Sequence, residues 1–163
     1  IKKKLIFLST MDVYKNQNNS KPVKESFKIN YYKLNDYAKS KYNSENFLKS
    51  FKGPIFAVHG GSLPKYKGMN THQRVMDEGE PLHGSSVHFV NSELDGGPVI
   101  LQARLPVLPN DSRESLELRI KTKEHLIYPT AISWLAEGRI ELKGNEIYMD
   151  GKKMTGPVVM DYM

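Results

Sequence analysis

The stretch from Asp111 to Arg139, DSRESLELRIKTKEHLIYPTAISWLAEGR, does most to limit the folds open to this chain. Leu116, Ile120, Leu126 and Ile127 recur at helical spacing behind a capping-type Asp111-x-x-Glu114, so the pattern predicts a long amphipathic helix that Pro129 breaks or bends. Such a helix must bury its apolar face against something. Short apolar runs on both sides offer partners: PIFAVH ending at His59, SSVHFV from Ser85, VILQARLPV from Val99, and two short strands around Lys143-Gly144-Asn145. PIFAVH, bounded by glycines, reads as an interior parallel strand, and NTHQRVMDEGE as a second helix, starting near Asn70 or Thr71 and ending near Gly79. Strands alternating with helices predict an α/β fold. Its expected form is a mainly parallel open sheet with flanking helices, an antiparallel edge and a C-terminal hairpin.

Length and composition narrow the class further. A chain of 163 residues suits one domain with a sizeable core, and 39% hydrophobic with 26% charged residues is ordinary globular composition. There is no cysteine, which excludes disulfide scaffolds, thiol nucleophiles and cysteine-based zinc sites, and fits a reducing cytoplasm. The opening IKKKLIFLST has too short an apolar run for a signal peptide and reads as a buried strand; no stretch reaches the length of a membrane span. Twelve of the lysines fall in residues 1–52 against four acidic side chains. That excess suits a phosphate-bearing ligand or a solvated surface, and no helix-turn-helix or RNA-binding aromatic signature accompanies it. In the same region NDYAKSKYNSENFLKSF has helical spacing, stopped by Gly53-Pro54.

Chemistry-bearing residues gather around two loops. His59 ends a predicted buried strand, where ligand-facing groups of open α/β sheets collect, and is followed by Gly60-Gly61. Asp95 lies in ELDGGPVI, a Gly-rich turn that either serves only as a turn or holds a carboxylate ready to accept a proton. The five histidines show no helical pairing of the metal-binding kind, so no metal is expected. HGGS lacks the Gly-x-Ser-x-Gly elbow that a serine hydrolase of the lipase kind requires.

SLPKYKGMNTH, HGSSVHFV, ELDGGPVI and EHLIYP occur in an order and spacing that resemble the C-terminal part of phosphoribosylglycinamide formyltransferases, over about residues 55–151. The resemblance implies transfer of a formyl group from 10-formyltetrahydrofolate to glycinamide ribonucleotide, in purine biosynthesis. It makes His59 the group that stabilises charge on the formyl oxygen and Asp95 the group that handles protons through a water. Val87, His88, Phe89, Val90, Glu93, Leu94, Gly96 and Gly97 would border the folate pocket, and Glu124 would contact the glycinamide end of the ribonucleotide. His72 would belong to a supporting helix. The implied partners are small molecules, with no nucleic acid and no membrane.

The sequence departs from that pattern in two places. The family's asparagine two residues before the histidine is Ala57 here, and the proline after the histidine is replaced by Gly60-Gly61, so impaired transfer is expected. The family's N-terminal phosphate-gripping loop has no counterpart in these residues. Residues 1–52 resemble instead an interior piece of an extended short-chain dehydrogenase of the nucleotide-sugar epimerase kind, on LSTMDVY and YAKSK. That likeness implies a proton-transfer group of Thr10, Tyr37 and Lys41; with no Gly-rich cofactor loop, NAD binding is not expected. The chain thus reads as a 1–52 segment joined to a formyltransferase-like 53–163 part, together forming one compact domain. The alternatives are a non-catalytic folate- or partner-binding hybrid and a fragment of an NAD-dependent nucleotide-sugar epimerase or dehydrogenase.

Overall fold

The computed structural model describes residues 53–162 together with Lys39 and Asn43. The strand expected at KLIFLST, and Thr10, Tyr37 and Lys41, lie outside the described residues, as does the helix expected after Asn35 apart from Lys39 and Asn43, which are both helical. The chain divides into two compact units, Ile1–Gly53 and Pro54–Met163.

The second unit is an α/β structure. In order it runs β1 (Phe56–His59), α1 (Thr71–Asp77), β2 (Leu82–Phe89), β3 (Val99–Pro106), α2 (Arg113–Ala136), β4 (Ile140–Lys143), β5 (Glu146–Met149), β6 (Lys152–Lys153) and β7 (Val158–Asp161). A four-stranded sheet has the order β1-β2-β3-β7, and β4-β5-β6 form a small second sheet. Among the described strands, β1–β2 and β2–β3 pair antiparallel and β3–β7 parallel. PIFAVH therefore does not run parallel to its described neighbour as expected: the connection from β1 through α1 returns the chain as an antiparallel strand. The C-terminal hairpin is present, turning at Gly144 with φ 63°, a left-handed conformation suited to glycine.

Helix α2 is one continuous element of 24 residues, so Pro129 neither ends it nor divides it. Pro129 lies on the exposed side, where a proline ring meets water rather than a packed neighbour. The helix starts at Ser112, not at Asp111: the Ser112 hydroxyl accepts from the Ser115 N–H while the Ser115 hydroxyl accepts from the Ser112 N–H. Asp111 instead accepts from the Leu108 N–H and pairs with Arg119 at 2.5 Å. Leu116, Ile120, Ile127, Ala131 and Leu135 form the buried stripe; Leu126, expected in it, is half exposed.

That stripe packs on the odd-numbered face of β2. Val87, Phe89, Ile100, Leu101, Ala103, Ile127, Ala131, Leu135, Ile140 and Ile147 form the main core, and Leu105, Leu116 and Ile120 a second cluster. Burying an apolar side chain of this size contributes about 1.5–3 kcal/mol. The helix thereby leaves the opposite, even-numbered face of β2 to polar residues. Among the described residues no helix is long and apolar enough to cross a membrane.

Candidate active site

Side chains alternate along a strand, and cross-strand partners share a face. The register Ala57↔His88, His59↔Ser86 and Ser86↔Gln102 thus collects five side chains on the face away from α2. A bulge between Val87 and His88 interrupts the β2–β3 ladder beside this face, a distortion that re-aims neighbouring side chains.

Asp95 reaches the same face from the turn after β2. Its backbone is left-handed, φ 46°, a conformation that aspartate tolerates better than most residues. One carboxylate oxygen, Oδ2, accepts from the Gly68 N–H at 2.8 Å and lies 3.4 Å from His59 Nδ1. The other, Oδ1, lies 3.8 Å from His88 Nε2. Two residues 36 positions apart in sequence, and a third, therefore meet around one carboxylate.

The two imidazoles are held differently. His59 donates from Nε2 to the Tyr66 carbonyl at 2.6 Å, which leaves Nδ1 on the Asp95 side. His88 donates from Nδ1 to the Phe89 carbonyl at 2.9 Å, and its buried Nε2 has no hydrogen-bond partner. Burial lowers the His88 pKa below the ordinary histidine value, against the opposing Phe89 hydrogen bond and Asp95 charge. At neutral pH His88 thus offers a bare nitrogen lone pair toward Asp95, a place where a ligand or water N–H or O–H fits.

The loop that carries His59 is fixed from below. Ser86 donates to the Gly61 carbonyl at 2.7 Å and accepts from the Leu63 N–H and from Gln102 Nε2. Gln102 also donates to the Leu63 carbonyl at 3.0 Å. The Thr71 hydroxyl donates to the Gly60 carbonyl, tying α1 to the same loop. The looseness expected of Gly60-Gly61 is therefore offset by side-chain hydrogen bonds. Gly61 has its own steric reason: a Cβ there would stand 2.6 Å from both His59 Nε2 and the Tyr66 carbonyl oxygen.

The remaining residues expected at a folate pocket separate into groups. Val87 and Phe89 are fully buried in the core and can offer a ligand only backbone. Val90 and Leu94 are exposed apolar side chains near the Asp95 turn, and Glu93 is exposed, 3.8 Å from Lys67. Gly97 packs under the strand, since a Cβ would lie 1.8 Å from the Phe89 carbonyl oxygen; at Gly96 it would meet Glu93. Glu124 stands apart from Asp95's hydrogen bonds. Its Oε1 lies 3.0 Å from the Ser85 hydroxyl, which is also 2.8 Å from the His59 carbonyl, so one proton serves two acceptors. Ala57 presents only a methyl group to the site face.

No motif in the sequence marks Ser85, Ser86 or Gln102 as site residues, and Tyr66, expected in a solvent-exposed basic-aromatic loop, is buried. The available signal was polarity at core positions: SSVHFV and VILQARL place Ser, His and Gln inside runs that otherwise read as buried strand. Among the described residues no cluster of three or more histidine, aspartate or glutamate side chains could hold a metal ion.

The chain belongs to the formyl transferase family: the sequence profile of that family matches residues 23–132. The match begins upstream of the join expected near Gly53. The chain is 48% identical over 108 residues to the phosphoribosylglycinamide formyltransferase of Haemophilus influenzae, covering 66% of this chain and 51% of that protein. It is 45% identical over 111 residues to the Escherichia coli enzyme of the same name, covering 68% and 52%. The phosphoribosylglycinamide formyltransferase of Coxiella burnetii, solved in complex with CHES, superposes with a TM-score of 0.63 at 41% identity, covering 69% of this chain and 55% of that one. The chain spans about half the length of these relatives.

Proposed function

We propose that this chain carries the catalytic half of a formyl transfer from 10-formyltetrahydrofolate to the amine of glycinamide ribonucleotide, in cytoplasmic purine biosynthesis. The observation that supports it is the contact of His59 with Asp95, 3.4 Å apart on the polar face of the sheet. The folate supplies the formyl group. The residues around Asp95 suit its site: a buried unpartnered His88 Nε2 faces that turn, and exposed Val90 and Leu94 offer apolar surface near it.

In this reading His59, anchored through Nε2–H on the Tyr66 carbonyl, carries a second proton on Nδ1 during transfer and through it stabilises the charge developing on the formyl oxygen. Asp95 takes the proton that the attacking amine loses, through a water, and returns it to the departing folate nitrogen, so no net proton is consumed. Ala57 supplies no side-chain donor to the oxygen, which lowers the rate by about 10²–10³ relative to a site with an amide there.

Formyl transfer measured with purified full-length chain tests the reading. Asp95→Asn is expected to lower the rate about 10²–10⁴-fold, and Ala57→Asn to raise it. Equal turnover by wild type and Asp95→Asn would remove Asp95 from the mechanism. No gain from Ala57→Asn favours the second reading that Ala57 motivates, a folate- or partner-binding protein without turnover. The dehydrogenase-like reading of residues 1–52 is decided separately, by calorimetric titration with NAD.

A further inference from the structure

His72 and His83 form a hydrogen-bonded imidazole pair that formyl transfer, as described above, does not use. His83 is fully buried on β2. Its Nε2 lies 3.0 Å from His72 Nδ1, and its Nδ1 has no hydrogen-bond partner. The Tyr66 ring stands nearly perpendicular to it, 5.8 Å between centroids, a contact too weak to replace an acceptor.

A neutral imidazole carries a single N–H. A proton on His83 Nδ1 would bury a donor with nothing to receive it. A proton on Nε2 leaves only a lone pair unpaired and makes a hydrogen bond to His72, which is the cheaper arrangement. Both rings are neutral near pH 7. Burial pushes His83 down to about 4, and burial also lowers His72, against the opposing charges of Glu117 and Glu124.

With Nδ1 accepting, the one proton of His72 sits on Nε2. That atom makes no hydrogen bond to any described residue and borders Gly60: a Cβ on Gly60 would stand 3.5 Å from it and 3.3 Å from Glu124 Oε1. The missing side chain of Gly60 thus leaves room beside one donor and one acceptor.

We infer that His83 fixes His72 as an Nε2–H donor facing the Gly60 floor, so that His72 and Glu124 together read a ligand group bearing an oxygen acceptor beside an N–H donor. An amide has that chemistry. Resting on the reading given under Proposed function, the group is the glycinamide amide, its carbonyl oxygen on His72 and its N–H on Glu124. His83 is then a positioning residue and His72 a substrate-specificity residue.

Long-range proton–nitrogen correlation spectra of ¹⁵N-histidine-labelled full chain at pH 7.5 test this, with His72→Gln and His83→Gln for assignment. The expected spectrum shows His72 neutral, protonated at Nε2, with that signal moving when glycinamide ribonucleotide is added. Calorimetry with the same ribonucleotide should show His72→Phe weakening binding about 10–100-fold, while His72→Gln, whose amide N–H keeps a donor, stays within a few-fold of wild type. A His72 protonated at Nδ1, or doubly protonated, overturns the inference; so does equal loss in the Phe and Gln variants. An Nε2–H His72 in a chain that binds no ribonucleotide upholds the tautomer assignment and sinks the ribonucleotide reading instead.

Discussion

Gly97 illustrates how a residue can be essential to a site without touching its chemistry. It follows Asp95 by two positions, and its Cα packs so closely under β2 that an added Cβ would lie 1.8 Å from the Phe89 carbonyl oxygen. Phe89 is core and cannot retreat. Gly97→Ala is therefore expected to destabilise the protein by about 1–3 kcal/mol, the range for overpacking, and to displace the turn that holds Asp95. Urea denaturation checks the first effect; an unchanged midpoint would contradict it. The aspartate itself was legible in the sequence as an acid in a Gly-rich turn. That it accepts from Gly68 N–H and stands between His59 and His88 was not, because those partners are 27, 36 and 7 residues away.

Helix α2 holds a carboxylate within its apolar stripe. Its buried stripe runs Leu116, Ile120, Ile127, Ala131, Leu135, and Glu124 falls on the same side, between Ile120 and Ile127. A carboxylate there is tolerable because Ser85 faces it from β2. The helix keeps Pro129 in its interior although proline lacks the N–H that the His125 carbonyl would otherwise accept. Pro129→Ala restores that donor at an exposed position and is expected to stabilise the protein by up to about 3 kcal/mol, read as a higher melting temperature. The N-terminus gives the opposite test. Ser112→Ala removes half of a reciprocal cap and should cost about 1 kcal/mol. A Ser112→Ala protein as stable as wild type would assign the cap no weight. Local pattern found the helix and missed both its start and its continuity, since Asp111 and Ser112 are equally good caps until Arg119 and Leu108 claim the aspartate.

On the scale of the molecule, the buried histidines among the described residues lower stability in mild acid. His83 keeps its neutral form in the folded state down to about pH 4, against an ordinary value of 6.5, because burial penalises its charge. Below 6.5 the unfolded chain takes up a proton that the folded one refuses, so stability is full above that pH and falls as pH drops toward 4. The loss from His83 alone is roughly 3 kcal/mol. His72 and His88 are shifted the same way by burial and add to it. Denaturant titrations between pH 7.5 and 4 should show this decline, with a shallower slope in His83→Gln. A wild-type slope unchanged in that variant would mean that His83 already carries its proton in the fold.

The sequence by itself determined the periods: strands of period two, a long helix of period 3.6, and glycine-marked turns at Gly79, Gly97 and Gly144. Those follow from local sterics and from which face must be dry, and they were enough to place the chain in its class. Through the family resemblance it also marked Ala57, because a short side chain is visible without coordinates. Direction and company were settled only by tertiary structure. β1 runs antiparallel to β2, Leu126 faces water, and the polar residues of β2 divide between a face toward Asp95 and a face toward α2. Strand direction depends on where a connection returns the chain, and a histidine's role depends on which atom its distant neighbour accepts or donates; neither is a local property.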